Sequence, residues 1–329
     1  MMRAVPVLIV TLLAVLFAPL AQAQTYDVQS ITEGALGTIV SAPSGSSTFR
    51  AESSSGAVTL QSGSAVRLSG NSVNSVVTIR CTSSILCGST NVYVTLELAG
   101  TPSGRLAYIP SINLTNGTAT ITSAYSAGSY VVINLNPIPR NASRTFILGY
   151  DVPVLGNDSG QPSGNAVTSF LITASRSSGA GADSLVGNIT ARVIRPINIS
   201  KTADLQFGRV TRPTSGTGSL TLTPDGAASA TGTNVIRFPS PTPTAADFTV
   251  TGEGGQAVTV SVPSTVTLSG TAGSVVATTS ATGSGSQVLS GSTGSAGSLQ
   301  VRVGGSIPLS DSTPMGTLTG TLAVTVQYN

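Results

Sequence analysis

The chain has 329 residues, of which only 8% are charged, with a formal net charge of +3 and neither histidine nor tryptophan. Without an imidazole, neither a Ser-His-Asp nor a Cys-His nucleophile system can be built, and two cysteines alone cannot complete a tetrahedral zinc set. The arginines are scattered and Lys201 is the single lysine, so the sequence offers no concentrated basic face for nucleic acid and no Gly-Lys pair for a phosphate loop.

At the start, Arg3 precedes an apolar run from Val7 to Leu20, and Ala21-Gln22-Ala23 supplies the small residues of a cleavage site. Residues 1–23 read as a signal peptide, with Gln24 as the first mature residue. The run is shorter than the roughly 20 residues that span a bilayer. The mature protein is therefore expected to be exported and not transmembrane: periplasmic in transit, then at the cell surface, in a fimbrium or extracellular.

Beyond Gln24 the apolar fraction of 40% is spread as β-branched residues, enough to bury cores, and no segment sustains a 3.6-residue period. Short alternating runs recur between Gly, Ser, Pro and Asn clusters. In chain order the predicted strands include Val76–Arg80, Val92–Leu98, Ala119–Ile121, Phe146–Leu148, Phe248–Val250 and Val258–Val262. The fold class is all-β: two tandem immunoglobulin-like or Greek-key β-sandwich domains, residues 24–190 and 191–329, after a cleaved signal peptide.

Cys81 and Cys87 bracket a short loop between two strand-like runs. In an oxidising compartment this spacing predicts a disulfide that pins a hairpin, worth about 2 kcal/mol for so short a loop. Asp151 with Asp158, or Asp225 with Asp247, are the carboxylate pairs available to a glycosidase-like mechanism, but nothing in their surroundings singles them out. Asn157-Asp158-Ser159-Gly160 lacks the acidic ladder of a calcium loop and reads as a turn. The expectation is no enzyme, no cofactor and no metal.

The two halves resemble each other in ordered blocks, which points to a tandem duplication. Leu36–Val40 aligns with Leu205–Val210, Ala65–Leu68 with Asn234–Phe238, and Val77–Ile79 with Phe248–Val250. Gly149–Pro153 aligns with Gly304–Pro308, and Phe170–Thr173 with Leu322–Thr325. Between the halves, Ile189, Ala191, Val193, Arg195, Ile197 and Ile199 alternate along an extended segment. It reads as the last strand of one domain running into the first of the next, or as one strand shared by both.

The last residues, GTLTGTLAVTVQYN, place Leu318, Gly320, Leu322, Val324, Val326 and Tyr328 on one face of a strand. Such a strand can be the last of its own sandwich, or an edge that another chain completes by β-augmentation. The glycine Gly316, the alternating apolar residues and the penultimate Tyr328 resemble the C-terminal signature of pilin subunits of the chaperone–usher route. That resemblance implies an immunoglobulin-like sandwich lacking one strand, which a periplasmic chaperone lends first and a neighbouring subunit replaces at the usher. Gly316, Leu318, Leu322, Val324, Val326 and Tyr328 would then form the assembly strand.

Leu205–Gly208, Phe248–Gly252, Val303–Gly305 and Val326–Asn329 also resemble a family of secreted bacterial domains of unassigned function, loosely related to fimbrial subunits. Thr25–Ile31 offers only Tyr26 and Val28 as alternating apolar residues, too few for a donor strand, so two-domain tip adhesins are the nearer organisational match. The leading functional reading is thus a non-catalytic structural or adhesive surface subunit of fimbrial type. The second is a secreted carbohydrate- or ligand-binding module recognising a host or surface glycan, with Tyr93, Tyr108, Tyr125, Tyr130 and Tyr150 in the first half as candidate platforms.

Overall fold

The computed structural model describes residues 25–71, 74–82, 87–127, 130–176 and 182–329. The signal peptide predicted over residues 1–23 lies outside them. Among the described residues the chain is built of strands, with one 3-10 turn at Asn157–Ser159, and none of its helices is long and apolar enough to cross a membrane.

The first half opens with β1 (Tyr26–Ile31), β2 (Gly34–Val40), β3 (Ser46–Ala51), β4 (Val58–Ser62), β5 (Val66–Ser69) and β6 (Ser75–Cys81). It continues with β7 (Val92–Ser103), β8 (Ser111–Asn116), β9 (Ile121–Ala127), β10 (Tyr130–Leu135), β11 (Ser143–Leu155), β12 (Gly164–Arg176) and β13 (Asp183–Ile194). One sheet runs β1-β6-β11-β3-β4 with β8 also on β11, and the facing sheet runs β5-β2-β13-β12-β7-β10-β9. Alternation in these strands sends one set of side chains into a shared core of Tyr26, Leu36, Phe49, Ile79, Phe146 and Phe170. Each such side chain, fully buried, contributes about 1.5–3 kcal/mol.

The second half holds β14 (Asn198–Ala203), β15 (Thr217–Leu222), β16 (Ala228–Thr231), β17 (Ala246–Glu253) and β18 (Ala257–Ser261). After them come β19 (Thr265–Gly270), β20 (Gly273–Thr282), β21 (Gly285–Val288), β22 (Ala296–Ser310) and β23 (Thr325–Tyr328). One sheet runs β14-β17-β22-β15-β16, with β20 on β22 and β19 on β20, and a small sheet runs β21-β18-β23. The buried side chains here fall into two smaller clusters, around Phe248, Val250, Val258, Val260 and Val301, and around Leu220, Ala277, Ile307 and Leu309.

The duplication suggested by the sequence is written into the pairing. The order β1-β6-β11-β3-β4 returns strand for strand as β14-β17-β22-β15-β16. The pair Val28↔Ile79 recurs as Ile199↔Val250, both partners displaced by 171 residues (28 to 199, 79 to 250). Phe146↔Val77 recurs as Val301↔Phe248, and Val152↔Phe49 as Ile307↔Leu220. Even the close approaches repeat: a Cβ on Gly149 would lie 2.2 Å from the Ala51 carbonyl oxygen, and one on Gly304 2.2 Å from that of Leu222. The glycine at this point is a packing requirement in both halves.

Two readings of local structure change, and a third is decided between its alternatives. Ala119–Ile121 is not a strand of its own: Asn116 ends β8, and β9 begins at Ile121. The segment from Ile189 to Ile199 is the last strand of the first half running into the first of the second, not one strand shared by both, since β13 stops at Ile194 and β14 starts at Asn198 in another sheet. The C-terminal strand is ladder-paired only over Thr325–Tyr328, although Thr319 bridges Ser269 further back.

Candidate functional site

One difference between the two halves is the strand that flanks β12 in the first. In the first half β12 is flanked on both sides, by β7 and by β13, with the β13 ladder running from Gly164↔Val193 to Ala174↔Asp183. β13 then pairs in parallel with β2, for instance Val193↔Ile39. The C-terminal segment is the counterpart of β12: Thr319 faces Ser269 as Val167 faces Ser103, and Val326 faces Val260 as Ala174 faces Val94. Among the described residues, however, β23 has β18 on one side and no strand on the other.

The counterpart of β2 shows the same deficit. Leu205–Val210 aligns with a strand but forms none, holding only the isolated bridges Gln206↔Thr244 and Val210↔Arg237. A parallel strand needs a neighbour to bond with, and the neighbour corresponding to β13 is absent from the described residues. Burial registers the consequence. Phe170, Ile172 and Ala174 in the first half are at most 1% exposed, whereas their counterparts Leu322, Val324 and Val326 are only partly buried. These side chains still touch the Phe248–Val301 core, so the gap opens directly onto it.

The predicted assembly residues are thus brought together unequally. Leu318, Leu322, Val324, Val326 and Tyr328 share the half-buried face, alternating with exposed Thr319, Thr321, Ala323, Thr325 and Gln327. Gly316 has φ +112° and open space around its Cβ position, a bend before the extended run.

Tyr328 does more than fill the core. Its hydroxyl accepts the Glu253 N–H at 2.7 Å and donates to the Arg195 carbonyl oxygen at 2.9 Å. Burial raises its pKa above the ordinary phenol value. Gly252 makes the room, because a Cβ there would lie 2.4 Å from that oxygen. The Glu253 carboxylate is fully buried: it accepts from Ser163 Oγ at 3.0 Å and from the Gly294 N–H on one oxygen, and from the Arg195 N–H and guanidinium, each at 3.1 Å, on the other. Ser163 belongs to the first half and Gly294 to the second, so this carboxylate joins them. Nearby Arg105 is buried, donating to Ser41 Oγ at 2.7 Å and Asn157 Oδ1 at 2.8 Å; burial first, then the charge of Arg195, lowers its pKa. Neither Glu253 nor Arg105 is singled out by sequence reasoning, since each is a lone charge in a polar stretch.

The other candidates resolve into structure. Cys81 and Cys87 are bonded to each other and buried in the first core. Asp151 receives a two-pronged ion pair from Arg50 at 2.7 and 2.8 Å, plus a hydrogen bond from Ser111 at 2.6 Å; the Arg50 hydrogen bond chiefly holds its carboxyl below the usual range. Asp158, in the 3-10 turn, accepts the Gly45 N–H. Asp225 and Asp247 flank one guanidinium, that of Arg302, at 4.0 and 3.9 Å. Two carboxylates sharing a counter-charge are an ion-pair arrangement, not an acid and a base facing one bond.

Residues 197–328 match a protein family described as Domain of unknown function (DUF4402). No curated protein matches the chain. Among solved structures it is similar to the chaperone–tip adhesion subunit pre-assembly complex of archaic chaperone-usher Csu pili of Acinetobacter baumannii, at 11% identity over 92% of this chain and 99% of that one, with a TM-score of 0.28. A chaperone–tip adhesin complex of CFA/I fimbriae aligns at 10% identity over 92% and 98%, with a TM-score of 0.25. The collagen-binding subdomain of the Enterococcus faecalis surface protein ACE aligns at 10% identity over 38% of this chain and 91% of that one, with a TM-score of 0.19. Overlays this loose carry no functional argument, and the functional reading rests on the chain's own geometry.

Proposed function

We propose that this protein is an exported, non-catalytic structural or adhesive subunit of the bacterial surface, made of two duplicated sandwich domains. The second is completed by a strand from another polypeptide. The observation that carries this is the internal comparison: β13 closes the first half between β12 and β2, and the matching position between β23 and Leu205–Val210 has no strand among the described residues. The incoming strand would run antiparallel to β23 and parallel to Leu205–Val210, as β13 does to its two neighbours. It would need small or aliphatic side chains at alternate positions, like Ile189, Ala191 and Val193 of β13. The chain's own β1 cannot serve elsewhere as donor without leaving β6, with which it pairs from Tyr26↔Cys81 to Ile31↔Val77. A periplasmic chaperone in transit, and a neighbouring subunit at an usher thereafter, are the partners this reading calls for.

The test is complementation within one chain. A short Gly/Ser linker followed by a copy of residues 183–194 is appended after Asn329. The expected result is new amide-exchange protection over Leu205–Val210 and Leu322–Tyr328 and a higher unfolding midpoint. A charged substitution at the copied Ile189 position should abolish both. Unchanged protection in both segments would overturn the strand-acceptor reading. Deleting Val324–Asn329 should prevent surface display in cells, and normal display of that truncation would overturn the assembly role.

A further inference from the structure

Three of the tyrosines that the sequence scatters over the first half meet on the outer face of the second sheet. In the ladder of β7, β10 and β9, Tyr93 stands opposite Asn134, Val132 opposite both Thr95 and Tyr125, and Tyr130 opposite both Glu97 and Ala127. Val92, Val94 and Leu96 point into the core, so Tyr93, Val132, Tyr125 and Tyr130 are on the side facing away from it. Val132 is nevertheless fully buried and is not part of the core cluster. A side chain on an outer face loses its exposure only when neighbours lie over it, and the large neighbours around this register position are the tyrosines, with Thr95 beside them. The Tyr93 phenol interacts with those of Tyr125 and Tyr130; desolvation chiefly, then these two groups, raises its pKa. Tyr125 remains half exposed at 51%.

We propose that this face is a binding platform for a neutral saccharide, with Tyr93, Tyr125 and Tyr130 as its floor. A sugar ring presents an apolar C–H face bordered by hydroxyls. Tyrosine matches both, giving a flat apolar body with few rotatable bonds and a hydrogen-bonding tip. The border supplies further partners: the Asn134 amide, already oriented by its hydrogen bond to Ser123 Oγ at 2.9 Å, and Thr95. Glu97 is the charged side chain in these rows. Among the described residues its negative charge is in no ion pair, which disfavours anionic membranes and acidic glycans. This inference is independent of the strand-acceptor reading, since it concerns the other half and the opposite face of its sheet.

The experiment is a glycan array carrying neutral and acidic saccharides, probed with the mature full-length chain and with Tyr125→Ala, Tyr125→Phe and Tyr93→Ala. Unfolding midpoints are measured in parallel. The wild type should bind neutral glycans, Tyr125→Ala and Tyr93→Ala should lose about tenfold or more in affinity, and Tyr125→Phe should lose less. Tyr125 is exposed, so its alanine variant should unfold with the wild type; if Tyr93→Ala fails to fold, Tyr125→Ala decides alone. Silence of the wild type across the array, binding to acidic glycans alone, or undiminished binding by Tyr125→Ala would each overturn the proposal.

Discussion

The Tyr328 hydroxyl donates to the Arg195 carbonyl oxygen at 2.9 Å, across 133 positions of chain. The C-terminal strand is therefore fastened to the segment that joins the two halves. The same oxygen accepts the Glu253 N–H, and both bonds depend on the space left by Gly252. Tyr328→Phe removes both bonds from a partly buried site and should cost about 1–3 kcal/mol in denaturant unfolding. Gly252→Ala should cost at least as much, because the added methyl displaces the phenol. The double variant should match Gly252→Ala to within about 0.5 kcal/mol, since the second change removes bonds already lost.

The Glu253 carboxylate accepts four hydrogen bonds, with no exposure of its own. Removing one member of a buried ion pair leaves the other uncompensated, so Glu253→Ala should destabilise the protein by about 3 kcal/mol. Limited proteolysis should then cut the Ser292–Ser295 turn, whose Gly294 N–H is held by that carboxylate, sooner than in the wild type.

Acid should weaken the fold in part through Asp151. Its carboxyl is held below the ordinary value chiefly by the Arg50 hydrogen bond, so its folded pKa lies under its unfolded one. The contribution is present above the unfolded value, about 3.9, and is lost as pH falls through the folded value. The expected loss between pH about 4 and lower is at most about 1 kcal/mol, because Arg50 is partly open to solvent. Asp151→Asn should flatten this part of the stability–pH curve when urea midpoints are compared.

The Cys81–Cys87 bond closes a loop with a sequence separation of 6. Replacing both cysteines with serine should lower stability by about 2 kcal/mol, through the freedom returned to the unfolded chain. The loss should fall on the first-half core, where both sulfurs are packed, and reductant should shift the wild type towards the variant.

Alternation made most strands legible. Val76–Arg80, Phe146–Leu148 and Phe248–Val250 all lie inside observed strands, because a half-buried strand writes its burial into every second residue. Pairing was less accessible. Leu205–Val210 has the pattern of a strand and is not one, since a ladder needs a neighbour and the sequence of one segment does not say whether its neighbour exists. The apolar face of Leu318–Tyr328 could be read directly, yet only the contrast with fully buried Phe170, Ile172 and Ala174 shows how incompletely it is covered. Glu253 was invisible because its partners Ser163, Arg195 and Gly294 come from three distant places. Tyr93, Tyr125 and Tyr130 were candidates one by one, but their convergence depends on the β7-β10-β9 register.

The parallel pairing of β2 with β13, Gly34 against Ile189, also sets a timetable. A chain made from its N-terminus presents β2 early and β13 only after the rest of the first half has followed. Closure must wait for contacts of large sequence separation, which form slowly. During that interval the first half lacks its closing strand, and it gains its compact form after the last strand of that half has arrived.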